Sequence, residues 1–279
     1  MKKRWMILFL LAATAVLCVG CGNIQINAYA HHDRYTAGDA EIPGPVTALE
    51  IDWVDGGVTV QFGSQSGVSV SETARWALRD DERLHWWLDG GTLRIQYAAS
   101  GLRNMKSLNK QLTVILPENT VLDSARIASV SGQVTLSPLY AGQTDVSSVS
   151  GNIQGRIAAD ALKLNTVSGT VSVEAAANEM TWNTTSGRIA ATVENGKQLR
   201  VNSISGAVEL TVIRMPEALD VNTVSGAVTL FLPRDAAFAA SLNSVSGAIQ
   251  NTFDAAPGAN SRVSVDTVSG GITVRRVKE

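Results

Sequence analysis

Cysteine is missing from residues 22 to 279, since the only two, Cys18 and Cys21, lie in the first 21 positions. The body of the chain therefore has no thiol for nucleophilic or redox chemistry, no disulfide and no thiolate ligand for zinc. Histidine is nearly as scarce. Of His31, His32 and His85, the first two are adjacent, and no third His or carboxylate is spaced to complete a metal site with them. Basic runs are absent after Arg4, and 23 Lys and Arg against 25 Asp and Glu give a net charge of −2, which excludes a protein whose main task is to grip nucleic acid phosphates. The sequence has no P-loop, no GxGxxG between strand and helix, and no Gly/Asp nonapeptide of the calcium-binding solenoids. Its 45% hydrophobic residues nevertheless suffice for a core.

The first twenty residues are an address label. Lys2, Lys3 and Arg4 precede an apolar run from Trp5 to Val19 that is short for a membrane span, and small residues follow. The string LCVGCGN resembles the lipobox of bacterial lipoproteins, with Cys18 where Leu is usual, so Cys21 is the expected lipidation site and mature N-terminus. Removal of residues 1–20 leaves 20 basic and 25 acidic residues, net −5. Such a surface is not drawn to anionic lipid, but two acyl chains anchor without help from charge. Residues 21–44 lack periodicity and read as a tether in which His31 and His32 are solvated.

The remainder is organised by a repeat. Ser-Gly recurs with its glycine at Gly132, Gly151, Gly169, Gly187, Gly206, Gly226, Gly247 and Gly270. Every copy has Ser or Thr three before the Gly and Val or Ile two after it. Apolar parity switches across the dipeptide: Leu199 and Val201 share one phase, Val208 and Leu210 the other. Strand side chains alternate with period two, so the chain bends there, and Gly is the residue that tolerates a bend. A unit of about 20 residues cannot bury its own apolar face, so units must stack. The expected fold is an all-β parallel solenoid of about eight coils over residues 121–279. Its columns include an apolar ladder from Val130 to Val268, broken by Thr185, and an amide ladder of Asn165, Asn183, Asn202, Asn222 and Asn243, which can hydrogen-bond along the stack. These columns read as architecture.

Residues 45–120 read as a β-rich N-terminal cap, continuous with the solenoid. Asp55-Gly56-Gly57 fits the repeat loosely, Asp89-Gly90-Gly91 marks a hairpin, and residues 72–85 have the composition of a short helix or loop. Trp86 and Trp87 alternate with Leu84 and Leu88, which makes at least one of them core. At the far end Arg275, Arg276, Lys278 and Glu279 charge the last strand, as edge protection does.

With the SG-x-[VI] ladder, the DGG-x-L hairpin and the LTVILPE strand in that order, residues 45–279 resemble the bacterial family of unknown function named "putative adhesin", built of right-handed parallel β-helix-like repeats. The resemblance implies an envelope protein, secreted or membrane-tethered, and carries no catalytic or binding residues across. The expected function is a non-catalytic binding or adhesion module outside the cytoplasmic membrane. It would be anchored through Cys21 and meet an envelope or host polymer or protein, with no cofactor, metal or nucleic acid. An alternative is an envelope-stress or regulatory component that binds a membrane partner or a cationic peptide through its acidic surface. A polysaccharide-acting β-helix enzyme would need paired carboxylates on adjacent coils, and the acidic residues of the repeats are scattered singly.

Overall fold

The computed structural model describes residues 28–101, 107–254 and 256–277. Its strands stack into a β-solenoid of two parallel ladders joined at a corner by each Ser-Gly. One ladder runs Thr92–Gln96, Ala48–Trp53, Leu122–Ser129, 141–148, 159–166, 179–184, Gln198–Ser203, Ala218–Thr223, Ser261–Thr267 and Phe238–Ser244. The other runs Gln111–Pro117, Val58–Gly63, 134–137, 153–157, 171–175, Ile189–Asn195, Val208–Val212, Val228–Leu232, Ile272–Arg276 and Ile249–Asn251. At a spacing of ~4.8 Å, ten rungs rise about 43 Å.

Inward positions are apolar in both ladders. Leu199, Val201, Val208, Leu210, Leu219, Val221, Val228 and Leu230 are at most 1% exposed. Each such side chain contributes roughly 1.5–3 kcal/mol through burial, set against the entropy of ordering it. Trp182 fills the middle of the stack and Trp53 the cap end, and both are fully buried.

Two coils precede the first Ser-Gly, so the solenoid reaches into the stretch read as cap and has ten rungs. Gly56 holds the Gly column in one of them. The other, which includes Thr92–Gln96 and Gln111–Pro117, lies beneath it although it comes later in the chain. The same inversion occurs at the far end, where the last coil in sequence lies between the coil of Ala218–Thr223 and that of Phe238–Ser244. The charged strand Ile272–Arg276 is therefore interior, one rung short of the edge, with Arg275 and Arg276 reaching Gln250 and the Thr252 carbonyl of the outermost coil.

The cap proper is antiparallel. Val68–Thr73 pairs with Gln111–Pro117, and His85–Asp89 pairs with Thr92–Gln96 across a turn in which Gly90 and Gly91 both have positive φ. Positive φ at both central residues is what a two-residue hairpin needs, and it explains the Gly pair. The segment read as a tether docks from residue 28 onward: Thr36–Ala37 pairs with His85–Asp89 and Ala40–Ile42 with Val68–Thr73. His31 packs 5.9 Å from the Trp87 ring but, like His32, stays exposed, so both are solvated on a docked segment rather than on a free tether. Residues 72–85 form no helix beyond one 3-10 turn, Asp80–Glu82. Trp86 and Trp87 are both half-buried, with Trp86 packed against the core.

Candidate functional site

Each column of the Ser-Gly corner has its own physical role. The Ser or Thr three before the Gly points inward, and its hydroxyl accepts from the Gly amide: Ser148 from Gly151 at 2.8 Å, Thr166 from Gly169 at 2.9 Å, Thr223 from Gly226 at 3.0 Å. The Ser directly before the Gly points outward and donates to a carbonyl of the coil beneath. Ser150 donates to Val130, Ser168 to Val149, Ser269 to Val224 and Ser246 to Val268. The two hydroxyl columns thus close the backbone accounts of a tight corner.

The Gly column is required by close approach and not, in most rungs, by an unusual bend. Among the eight Ser-Gly glycines only Gly132 has positive φ. A Cβ on Gly206 would fall well inside van der Waals contact with the Gly187 carbonyl oxygen, and the contact repeats from Gly132 on Gly56 up to Gly247 on Gly270. Beneath Gly56 lies the Lys110 backbone, so Lys110 holds the column's position in the lowest rung, where no further coil lies below.

The asparagine column forms an amide ladder from Asn165 to Asn222 and a further pair at Asn243. Asn165 donates to Asp145, Asn183 to Asn165, Asn202 to Asn183, Asn222 to Asn202, and Asn243 to Asp266. Asp266 takes the rung between Asn222 and Asn243 because the last coil is inserted there. These side chains bond to one another from coil to coil, which makes them a stiffening element on the outer face. Cys21 lies outside the described residues.

The apolar column two before each Gly is the corner's exposed edge. In stack order it reads Val54, Val130, Val149, Val167, Thr185, Ile204, Val224, Val268 and Val245. Val130 is 46% exposed, Val149 47%, Val224 42% and Val245 81%. The stripe is about 38 Å long at ~4.8 Å per rung. Its exposure was readable in the parity: Val201 and Ser203 face in, so Ile204 must face out. The position after each Gly flanks the stripe and changes character along it, from Gln133, Asn152, Thr170 and Arg188 in the lower rungs to Ala207, Ala227, Gly271 and Ala248 in the upper ones. The apolar strip therefore widens away from the cap. Because the neighbouring serine hydroxyls are already donated to backbone carbonyls, covering the strip strands few polar groups.

Carboxylates do come together on the outer face of the second ladder, around an open depression of about 500 Å³ lined by Arg156, Glu174, Thr192, Glu209 and neighbours. Each is engaged by an arginine: Glu174 and Glu194 by Arg156, Glu209 by Arg188. Among the described residues no three His, Cys, Asp or Glu are grouped to hold a metal, and no helix is long and apolar enough to cross a membrane.

One charged group is buried in the cap. Lys110 is fully buried, 2.7 Å from the Glu72 carboxylate and 2.7 Å from the Glu82 carbonyl oxygen, with its ammonium 4.3 Å from the Tyr97 ring centre. Burial pushes its pKa down, and the adjacent Glu72 opposes the shift. The pair ties the cap strand Val68–Thr73 to the lowest coil. Glu72 also lines an open depression of about 230 Å³ with Asp39, Trp76 and Arg83, while Lys110 is not part of that lining.

Residues 46–275 match the family model described as Toastrack DUF4097. A crystal structure from Parabacteroides merdae described as "a putative adhesin" is similar in fold, with TM-score 0.51 and 12% identity over 91% of this chain and 99% of that one. Another from Parabacteroides distasonis, described as a "Putative lipid binding protein", has TM-score 0.50 and 16% identity over 88% of this chain and 97% of that one. A search of curated proteins finds no match.

Proposed function

We propose, starting from a chain that belongs to the Toastrack DUF4097 family, that it works as a non-catalytic binding module whose contact surface is the exposed valine stripe of the Ser-Gly corner. The stripe itself carries the reading. A row of β-branched side chains, held at ~4.8 Å intervals by a stack that cannot rearrange, is a preorganised apolar edge, and such an edge suits an extended protein or polymer partner. The names of the similar structures, an adhesin and a lipid-binding protein, fit binding rather than turnover.

The setting we propose is the outside of the cytoplasmic membrane, with Cys21 lipidated. Residues 22–27 separate Cys21 from the first described residue, a reach of at most about 25 Å. That residue belongs to the segment docked on the cap, so the cap lies nearest the membrane and the wide part of the stripe points away from it.

The test is retention of the chain from residue 22 on against cell-wall polymers, extracellular-matrix components and membrane extracts, beside a variant with Val130, Val149, Val167 and Val224 all changed to Thr. Thr185 shows that the column accepts threonine, so the variant should keep its stability within about 0.5 kcal/mol per site. An apolar contact predicts salt-resistant retention that the variant loses. Equal retention by both chains would remove the stripe from the function, and retention abolished by moderate salt would favour a cationic partner on the acidic surface.

A further inference from the structure

Every coil of the stack but one is paired on both sides. The exception is the coil of Phe238–Ser244 and Ile249–Asn251, which pairs only with Ser261–Thr267 and Ile272–Arg276. Its inward positions continue the core. Ala240 and Leu242 lie in register with Val263 and Val265, and Ile249 with Ile272, all three of these partners fully buried. In the open coil, however, Ala240 is exposed, Leu242 is half-buried and Ile249 is 43% exposed. Phe238, at the start of the strand, is covered by Phe253 at 5.3 Å, and beyond it the core ends without a lid.

The second observation is charge. Residues 238–251, FAASLNSVSGAIQN, contain no charged side chain, whereas every other Ser-Gly coil has at least one in its strands, such as Asp145, Arg200, Asp220 or Arg262. Proteins blunt a free sheet edge with charge, proline, bulges or very short strands. The outermost strands of the cap follow that rule, being two and three residues long. The strand Phe238–Ser244 has seven residues and none of these devices. Residues 252–254 pack at the start of that strand, with Phe253 on Phe238 and Arg276 on the Phe253 ring, but Ala240, Leu242 and Ile249 stay open: Val277 follows a strand one coil inward, and the N-terminal residues dock on the opposite end.

We propose that the open coil pairs with the same coil of a second copy across a two-fold axis, each edge strand running antiparallel to its counterpart. A two-fold axis sets every side chain near it against its own kind, so a charge on the edge would face a like charge. An uncharged edge meets that condition, and a partner of different sequence would not impose it. Antiparallel pairing is also how the capped end is closed. With Ser241 on the axis, Ala240 of one copy faces Leu242 of the other, small against large, and the half-exposed layer is covered. The pairing places each copy's Ser-Gly corner beside the other's return, so the two valine stripes lie on opposite edges of one doubled stack.

The test uses the chain from residue 22 on, with mass measured by light scattering over a wide concentration range. The wild type should reach the mass of a dimer. Ser241→Lys with Gln250→Lys, both at exposed outward positions of the two edge strands, should be monomeric while keeping the strand signature in circular dichroism and a cooperative melt. The neutral pair Ser241→Thr with Gln250→Thr should remain dimeric. A wild type that stays monomeric throughout, or a lysine variant as dimeric as the wild type, would overturn the proposal. Neither result bears on the valine stripe, whose variant leaves the open coil untouched.

Discussion

The two ends of the stack begin from the same device and finish differently. At both, the first or last coil of the stack in sequence is tucked one rung inward, so the outermost coil is an internal segment and Ala48–Trp53 and Ser261–Thr267 are each paired on both sides. A coil held this way cannot fray without displacing a neighbour, which suits a fold whose stability is a sum of interfaces between coils. The cap end then adds antiparallel strands and the buried Lys110–Glu72 pair. The far end adds only the Phe238–Phe253 contact with Arg276 over the Phe253 ring, and leaves outermost strands that carry no charge of their own. One end is finished within the chain, and the other is shaped for a partner.

The comparison first needs an intact stack, and Gly206→Val tests that with the largest expected effect. Its Cβ would enter the Gly187 carbonyl, so a loss above about 4 kcal/mol or outright failure to fold is expected from a denaturant melt. An unchanged midpoint would contradict the stacked column.

The capped end is probed next. Lys110→Met leaves Glu72 buried without its cation and should cost about 3–5 kcal/mol, whereas Lys110→Met with Glu72→Leu should recover most of the loss. A double variant no better than the single would show that the pair does more than neutralise itself.

The contrast between ends is sharpest in matched truncations. Ile189→Ala, in the fully buried middle of the stack, should cost about 2–5 kcal/mol, and Ile249→Ala at the open end less than about 1 kcal/mol in dilute monomer. Similar costs would mean that the open end is covered after all.

The smallest effect is alkaline. Burial pushes the Tyr29 phenol up to about 12 and raises Tyr35 and Tyr97 as well, all three at the capped end. A folded pKa above the unfolded value near 10 means stability that is complete below pH 10 and lost as pH rises toward 12. Tyrosine absorbance and amide exchange should therefore show the cap loosening before the body, and Tyr29→Phe should weaken that pH dependence.

Much of this was legible in the sequence because repeats leave columns. Eight Ser-Gly pairs, with a hydroxyl three before and a branched residue two after, dictate a stacked coil, and the asparagine column follows from the same register. Topology was not legible. Nothing in VNTVSGAV or VDTVSG says that a later coil slips beneath an earlier one, because coils with one frame are interchangeable in local propensity and only their end surfaces rank the orders. The glycine was read through bending, while the structure assigns it to a backbone contact between neighbouring coils, a contact invisible within one repeat. The docking of residues 28–42 was hidden because edge strands of two or three residues carry no periodicity. The valine stripe was encoded in the parity of Val201, Ser203 and Ile204, but a ladder of identical apolar residues reads as core unless that parity is followed across the bend.

The difference between the ends is tested most directly by amide hydrogen exchange, followed residue by residue as a function of concentration. Protection at Phe238–Ser244 and Ile249–Asn251 should be weak in dilute solution and rise as the chain is concentrated, while Val68–Thr73 in the cap stays protected throughout. Protection of the two open-end strands that is independent of concentration, whether high or low, would contradict the reading of that end as an interface.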